Sequence, residues 1–263
     1  MSVPVVLVTG ASSGIGLKLA EEYARRGARV AMLARRVDKL EDAARRLGAR
    51  AVRCDVCSDE DVQRAVDEVV TELGGIDVAI ANAGIAVSGT AEKLSIDDYR
   101  RQMETNVFGV IRTAKAVLEP LRKSRGRLGI VGSVNGQLAV PGWSAYVTSK
   151  FAVRGFAESL AFDIAPQGVS VTHVAPGFVE SEMRLLDRSG KLRDGAKDPI
   201  PGWLVMRGDV AAAQIADAID ARRRDVTITG HGKVASVLQR YTPGLVRTAV
   251  GLATTRMKTP EWG

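Results

Sequence analysis

The sequence predicts an α/β domain: a doubly wound, seven-stranded, mainly parallel sheet with helices on both faces. Three observations carry that prediction. Short apolar, β-branched runs alternate with helical patterns through the first two-thirds of the 263 residues. The strand-like runs are continuously apolar, as strands covered on both faces are. The first run, Val5 to Val8, leads into a glycine-rich turn, Thr9-Gly10-Ala11-Ser12-Ser13-Gly14-Ile15-Gly16, and then a helical pattern.

Taken in order, strands are expected at 5–9, 29–34, 50–54, 77–81, 128–132, 170–175 and 226–229. Helices are expected at 15–26, 37–47, 59–73, 96–123, 145–165 and 209–223. Connections are short and no repeat or low-complexity linker interrupts them, so 1–230 reads as one domain. Residues 178–208 break the rhythm. They are rich in Gly, Pro, Arg and Asp and follow a strand's carboxyl end, where doubly wound folds bind ligands. A substrate lid is the expectation. Its Phe178, Met183, Leu185, Leu186, Trp203, Leu204, Val205 and Met206 point to an apolar small-molecule substrate.

Residues 231–263 read as a C-terminal extension of the same domain. Thr242-Pro243-Gly244 marks a turn, and Leu245, Val246, Ala249, Val250, Leu252 and Ala253 form a modest amphipathic stripe beside Arg247, Arg256 and Lys258. A helix packed on the body or on a partner subunit is expected. Contact with a membrane surface is the alternative.

Composition narrows the classes. No apolar run reaches the ~18 residues of a membrane span, and MSVPVVLVTG enters a strand with no basic leader. A cytoplasmic location without a signal peptide is expected. The formal charge of +7 comes from arginines mixed with acids along helices, which argues against nucleic acid as a partner. Arg222-Arg223-Arg224 is expected to be solvated capping at a helix end. Cys54 and Cys57 form a lone C-x-x-C with neither a second pair nor a redox-type helix start, so reduced thiols and no metal site are expected.

The glycine turn suits a dinucleotide. Gly10 permits the tight turn, Gly14 lets backbone approach a pyrophosphate, and Gly16 lets helix pack on strand. Ser12, Ser13 and Ile15 complete the loop, whose free N–H groups open a helix. Taken alone the spacing is also that of any tight βα turn. At the end of the second strand Ala34 stands where an acid would hold a ribose 2′-OH, and Arg35 and Arg36 follow. Guanidinium groups there favour a 2′-phosphate, hence NADP(H) over NAD(H). Asp55 and Val56 follow the third strand and suit an adenine. Asn82-Ala83-Gly84 follow the fourth and let a cofactor lie close, although Asn and Gly are also ordinary turn residues.

The strongest signal is Ser133 at a strand end with Tyr146 and Lys150 four residues apart on one helical face. A phenol has a pKa of about 10, and a nearby ammonium favours its ionised form. A tyrosine tuned in this way exchanges a proton with a substrate oxygen that the serine hydroxyl holds. Asn106, within a helical pattern, is a poor helix-interior residue and invites a role such as holding a water.

Together TGASSGIG, CDV, NAG at 82–84, Asn106, Ser133, YVTSK at 146–150 and PGFVES at 176–181 make the chain resemble the single-domain branch of the short-chain dehydrogenases/reductases, over residues 4 to about 230. The resemblance implies a Rossmann fold, a nicotinamide cofactor and a Ser133–Tyr146–Lys150 set, with Asn106 holding a proton-relay water. It implies that Lys150 also binds the nicotinamide ribose, and that Pro176, Gly177, Val179 and Ser181 border the carboxamide. Ser181 stands where threonine is common, and the tail is about 30 residues longer than in many members. The implied activity is hydride transfer between a carbonyl and an alcohol. A non-catalytic nucleotide sensor on the same fold and a nucleotide-sugar epimerase or dehydratase are the competing classes. The latter group has a differently spaced glycine turn and a large C-terminal domain. Apolar residues on more than one face of 96–123 (Val107, Val110, Val117, Leu118) and 145–165 (Phe151, Val153, Phe156, Leu160, Phe162), with the family resemblance, imply a homodimer or homotetramer.

Overall fold

The computed structural model describes residues 3–185, 195, 197–198 and 200–256. β1 (Val5–Thr9), β2 (Arg29–Ala34), β3 (Arg50–Arg53), β4 (Val78–Ala81), β5 (Arg127–Val131), β6 (Ser170–Ala175) and β7 (Asp225–Thr227) form one sheet in the order β3-β2-β1-β4-β5-β6-β7. Every pairing between them is parallel. Three of the seven strands have the expected bounds, and the other four differ by one or two residues at their ends, as ladder ends do.

Side-chain alternation in buried strands builds two cores. Leu7 faces one side with Val52, Ala79 and Leu128, beneath α3 (Asp59–Leu73), α5 (Gly109–Ser124) and α6 (Ser144–Ile164). Val6 and Val8 face the other side with Met32 and Ile80, beneath α1 (Gly14–Arg25), α2 (Val37–Leu47) and α7 (Gly208–Asp220). The winding reverses between β1 and β4, and the crevice at their carboxyl ends is where such a sheet binds ligands. Local signals agree with this frame. Ser58 caps α3 by accepting from the Asp61 N–H, and three acids occupy that helix's first turn.

Four expectations need correction. The single helix at 96–123 is instead α4 (Ile96–Met103), a π-turn at Glu104–Phe108, and α5. The inserted residue turns Thr105, Asn106 and Val107 inward together, which a regular helix would not do. It also presses Gly109 on Val56, where a Cβ would come within 2.8 Å of Val56 Cγ2. Second, α7 ends at Asp220, not 223. Arg222 is no solvated cap: its guanidinium donates to the carbonyls of Arg125 and Gly126 and straps two turns together.

Third, the 178–208 segment carries local structure at its ends, where a loop was expected. Val179 bridges Met206, and short 3₁₀ turns occupy Glu182–Leu185 and Gly202–Leu204. Trp203 is 83% exposed, while Leu186 lies outside the described residues. Fourth, the tail contains two helices, α8 (Gly230–Tyr241) and α9 (Pro243–Arg256), where one stripe was read. Pro243 opens α9, a first-turn position that needs no N–H. α8 meets the body at its first turn, where Gly232 is buried against Thr229 and Val134, and α9 rests on α8. Lys258 lies outside the described residues, as do the side chains of Ala253 and Arg256.

Candidate active site

The cradle forms where β1 and β4 end. The Thr9 hydroxyl donates to the Ile80 carbonyl (3.3 Å) and accepts the N–H groups of Asn82 (3.0 Å) and Ala83 (3.1 Å). Asn82 Nδ2 donates back to the Thr9 carbonyl at 2.9 Å. Thr9 was not singled out in the sequence, although a hydroxyl closing a buried apolar strand is itself a signal. Gly10 and Gly14 adopt φ of 68° and 55°, the left-handed region. At Gly16 a Cβ would lie 2.4 Å from both Asn82 Nδ2 and the Gly10 carbonyl oxygen. Ile15 packs beside the α1 core.

Ser13 is the N-cap of α1 but its side chain caps nothing. Its hydroxyl accepts instead from Arg36 Nη2 at 2.8 Å, and Ser12 accepts from the same nitrogen at 3.1 Å. The first-turn N–H groups of α1 therefore face outward without a side-chain cap, and a guanidinium stands beside them. That arrangement fits a phosphate-bearing dinucleotide. Arg35 is exposed and has no hydrogen-bond partner among the described residues. A groove of about 350 Å³ runs past Ser12, Ser13 and Gly14 to Ser181 and Lys39, a second cation that the sequence did not flag. Asp55 accepts the Cys57 N–H at 3.1 Å, and Val56 is buried against Gly109.

Ser133 follows β5, and its Oγ accepts from the Asn135 N–H. Tyr146 and Lys150 lie one turn apart on α6, with Lys150 Nζ 5.6 Å from the Tyr146 ring centre. Lys150 is buried and donates to the Val131 carbonyl at 3.1 Å. Burial pushes its pKa down to about 8. Burial pushes the Tyr146 phenol up, opposed by the Ser133 hydroxyl and the Arg184 guanidinium. Lys150 Nζ points to the Val131 carbonyl, and Arg184 is a second cation that lowers the phenol and that the sequence did not flag.

Asn106 is fully buried. Its Oδ1 accepts the Ile85 N–H (2.8 Å), and its Nδ2 donates to the Ile85 carbonyl (3.0 Å) and Ser149 Oγ (3.1 Å). Ser149 in turn donates to the Tyr146 carbonyl at 2.7 Å. Both amide protons are thus committed to protein, and the side chain braces the loop after β4 against the helical turn carrying Tyr146. Gly84 lies close under it: a Cβ there would be 3.2 Å from Asn106 Oδ1.

The segment after β6 closes the site. The Pro176 carbonyl accepts the Val134 N–H, and Val179 is buried beneath the segment. A Cβ on Gly177 would lie 2.1 Å from Thr229 Oγ1 and 2.5 Å from His231 Nε2. His231 accepts the Phe178 N–H at 3.1 Å, and the two rings stack at 5.1 Å. Burial holds the His231 pKa below its usual value. Ser181 faces Gly14, 3.6 Å from where a Cβ there would sit. Arg184 grips the Asp198 carboxylate and donates to the Val179 carbonyl at 3.1 Å. Sequence reasoning missed both His231 and Arg184; nothing in their spacing marks them, because chain segments far apart bring them here. Cys54 and Cys57 are free thiols, with burial pushing Cys54 up to about 12. The described residues contain no group of three His, Cys, Asp or Glu placed to hold a metal ion.

A sheet wound in two directions with a glycine cradle at the reversal is the arrangement of a dinucleotide-binding doubly wound fold, and Ser133, Tyr146 and Lys150 lie beside it. The chain belongs to the short chain dehydrogenase family, whose sequence profile matches residues 4–191. It is 40% identical over 186 residues to an 11-beta-hydroxysteroid dehydrogenase A of Arachis hypogaea. That match covers 68% of this chain and 53% of the relative, so it spans about half the relative's length. Among solved structures, a short-chain dehydrogenase from Streptomyces avermitilis superposes with a TM-score of 0.79 at 27% identity, covering 97% of this chain and all of that one. An alcohol dehydrogenase from the archaeon Thermococcus sibiricus, complexed with 5-hydroxy-NADP, superposes with a TM-score of 0.74 at 28% identity. Coverage there is 87% of this chain and 97% of that one.

Proposed function

We propose that the chain is an NADP(H)-dependent oxidoreductase that interconverts a carbonyl and an alcohol on an apolar ketone, aldehyde or secondary alcohol. The observation that carries this reading is the gathering of Ser133, Tyr146 and Lys150 at the carboxyl end of β5, beside the glycine cradle. NADP(H) is favoured because Arg36 already lies on the Ser12 and Ser13 hydroxyls, with Arg35 exposed next to it and no acid at Ala34. The 5-hydroxy-NADP in the archaeal relative supports the same choice.

In this reading Gly10, Gly14, Ile15 and Gly16 take the pyrophosphate, and Ser12, Ser13, Arg35 and Arg36 take the 2′-phosphate. Asp55 and Val56 border the adenine. Asn82, Ala83 and Gly84 line the floor. Pro176, Gly177, Val179 and Ser181 border the carboxamide, and Lys150 and Tyr146 serve the nicotinamide ribose. The cofactor supplies or accepts the hydride. The chain's own work is positional and electrostatic. Ser133 Oγ donates to the substrate oxygen and holds it within reach of Tyr146. A phenol raised by burial is protonated at neutral pH, so Tyr146 stands ready to give its proton to a carbonyl oxygen. Asn106 keeps the tyrosine's turn in place through Ser149. A water relay past Asn106 would need a donor or acceptor other than its committed amide N–H groups.

We further infer a homodimer or homotetramer. Val107, Val110, Val117, Val153 and Leu160 are buried on the chain's own sheet, which leaves Phe108, Phe151 and Phe162 exposed on the outer faces of the two long helices. Free thiols at Cys54 and Cys57 suit a reducing cytoplasm. The test is turnover of NADPH and NADH against steroids, quinones, acyl thioesters and aliphatic aldehydes. Consumption of NADPH with at least one apolar carbonyl is expected. Cofactor binding without turnover on any of them would place the chain among nucleotide sensors.

A further inference from the structure

We infer that the α8–α9 pair is a docking surface for an anionic lipid bilayer. The first ground is that α8 is amphipathic in the wrong sense for water. Val234, Val237, Leu238 and Tyr241 recur at i, i+3, i+4 and i+7 and form one stripe, and all four are exposed, Tyr241 by 72%. Leu245 at the start of α9 extends the stripe, 71% exposed. The inward side of α8 carries Ser236 and Gln239, whose Oγ and Oε1 are buried without a hydrogen-bond partner among the described residues. A helix that turns its polar side chains inward and its apolar ones outward is suited to an environment less polar than water.

The second ground is charge. From Val226 to Pro260 the sequence contains no Asp or Glu, and it contains Lys233, Arg240, Arg247, Arg256 and Lys258. On α8 the helical spacing puts Lys233 and Arg240 together on one flank of the apolar stripe, and both are exposed. Long cationic side chains beside an apolar stripe can reach phosphate headgroups while the stripe enters the acyl boundary. A second copy of this chain is the competing occupant, and the charge opposes it. Pairing two such hairpins would bring Lys233, Arg240 and Arg247 against their copies with no acid between Val226 and Pro260 to offset them. An anionic surface neutralises the same charges. Among the described residues no helix is long and apolar enough to cross a membrane, and a helix with an apolar stripe flanked by cations is suited to lie in the interface plane.

Docking has a consequence for the site. His231, in the first turn of α8, holds the Phe178 N–H and stacks on its ring. A docked hairpin would therefore tether the Gly177–Phe178 turn near the lipid, where apolar molecules partition. Only this consequence rests on the proposed reaction; the docking does not.

The test is sedimentation of the full chain with vesicles of phosphatidylcholine alone or mixed with phosphatidylglycerol. Two variants accompany it: Val237→Glu with Leu238→Glu, and Arg240→Ala with Arg247→Ala. NADPH binding is followed in each to show that the fold persists. The chain should sediment with phosphatidylglycerol vesicles and not with phosphatidylcholine alone. Each double variant should weaken that binding by about tenfold or more, and added salt should weaken it for the wild type. If the glutamate variant fails to fold, the surface-charge variant and the lipid dependence decide the matter. No vesicle binding overturns the inference. So does binding that ignores lipid charge. Loss of a dimer in the glutamate variant, without vesicle binding in the wild type, would assign the stripe to a subunit interface instead.

Discussion

Arg36 and Lys150 are the residues whose surroundings say most about what they do. Arg36 reaches back to two serines of the glycine turn, which is the contact on which we propose that a 2′-phosphate is bound. Removing one charge-assisted phosphate contact costs about 1.5–3 kcal/mol, or roughly tenfold to a hundredfold in affinity. Arg36→Ala should weaken NADPH by that factor and leave NADH nearly unchanged when both are titrated. Equal weakening of the two would remove the 2′-phosphate from the account. Lys150 carries a different signature. Its folded pKa of about 8 lies below the unfolded value, so between those values the unfolded chain binds more protons and stability rises with pH. Below pH 8 the buried ammonium is a full penalty. Lys150→Met should therefore be more stable than wild type at pH 7. That margin should shrink by up to about 3 kcal/mol as pH rises from 8 towards 10.5 in denaturant titrations, while activity is lost at every pH. Raised tyrosine and cysteine pKa values act in the opposite sense above pH 9, but they are shared by both proteins and cancel in the comparison. A margin independent of pH would contradict the buried, partly neutral lysine.

Among the elements, the π-turn at Glu104–Phe108 was the least legible in the sequence. The pattern 96–123 keeps a helical period on both sides of it, and nothing in composition marks one extra residue. Asn106 was flagged because asparagine is poor in helices, and that reasoning found the right residue. Its partners, Ile85 and Ser149, come from other elements and could not be read. Asn106→Ala would leave the part-buried Ile85 N–H without its partner, while the Ile85 carbonyl keeps Gln102 Nε2 at 2.8 Å. A loss of about 1–3 kcal/mol in unfolding free energy is expected, with kcat falling because Tyr146 loses its brace. Unchanged stability would mean water replaces the amide. The sheet itself was legible because buried parallel strands write themselves as apolar runs, and strand ends moved by only a residue or two. The glycine turn was legible for a steric reason: at Gly16 a Cβ would collide with backbone as well as with Asn82. Helix α8 was not read, since its stripe of Val234, Val237, Leu238 and Tyr241 faces outward and its inner side is polar. Lid contacts such as Arg184 with Asp198 depend on chain reversal and leave no local pattern.

At the scale of the molecule, three exposed phenylalanines on the outer helices and the basic C-terminal hairpin are two separate surfaces, for which we propose two separate occupants. Sedimentation of the full chain should give a dimer or tetramer at micromolar concentration, and Phe108→Glu with Phe151→Glu should give a monomer that still binds NADPH. A wild-type monomer would remove the helix-face interface. What unites the molecule is the crevice at the winding reversal. β1 and β4 supply the cradle there, β5 and α6 supply the proton-transfer set, and β6 with α8 closes it. The central claim is that Tyr146 passes a proton to the substrate oxygen in this crevice. Its most direct test is kcat for Tyr146→Phe with NADPH and a carbonyl that the wild type reduces. Phenylalanine keeps the ring against Trp143 and removes only the hydroxyl. The account predicts that kcat falls by roughly a hundredfold or more, the contribution of a positioned general acid, with NADPH affinity changed by less than about threefold. A variant with near-normal kcat would contradict it.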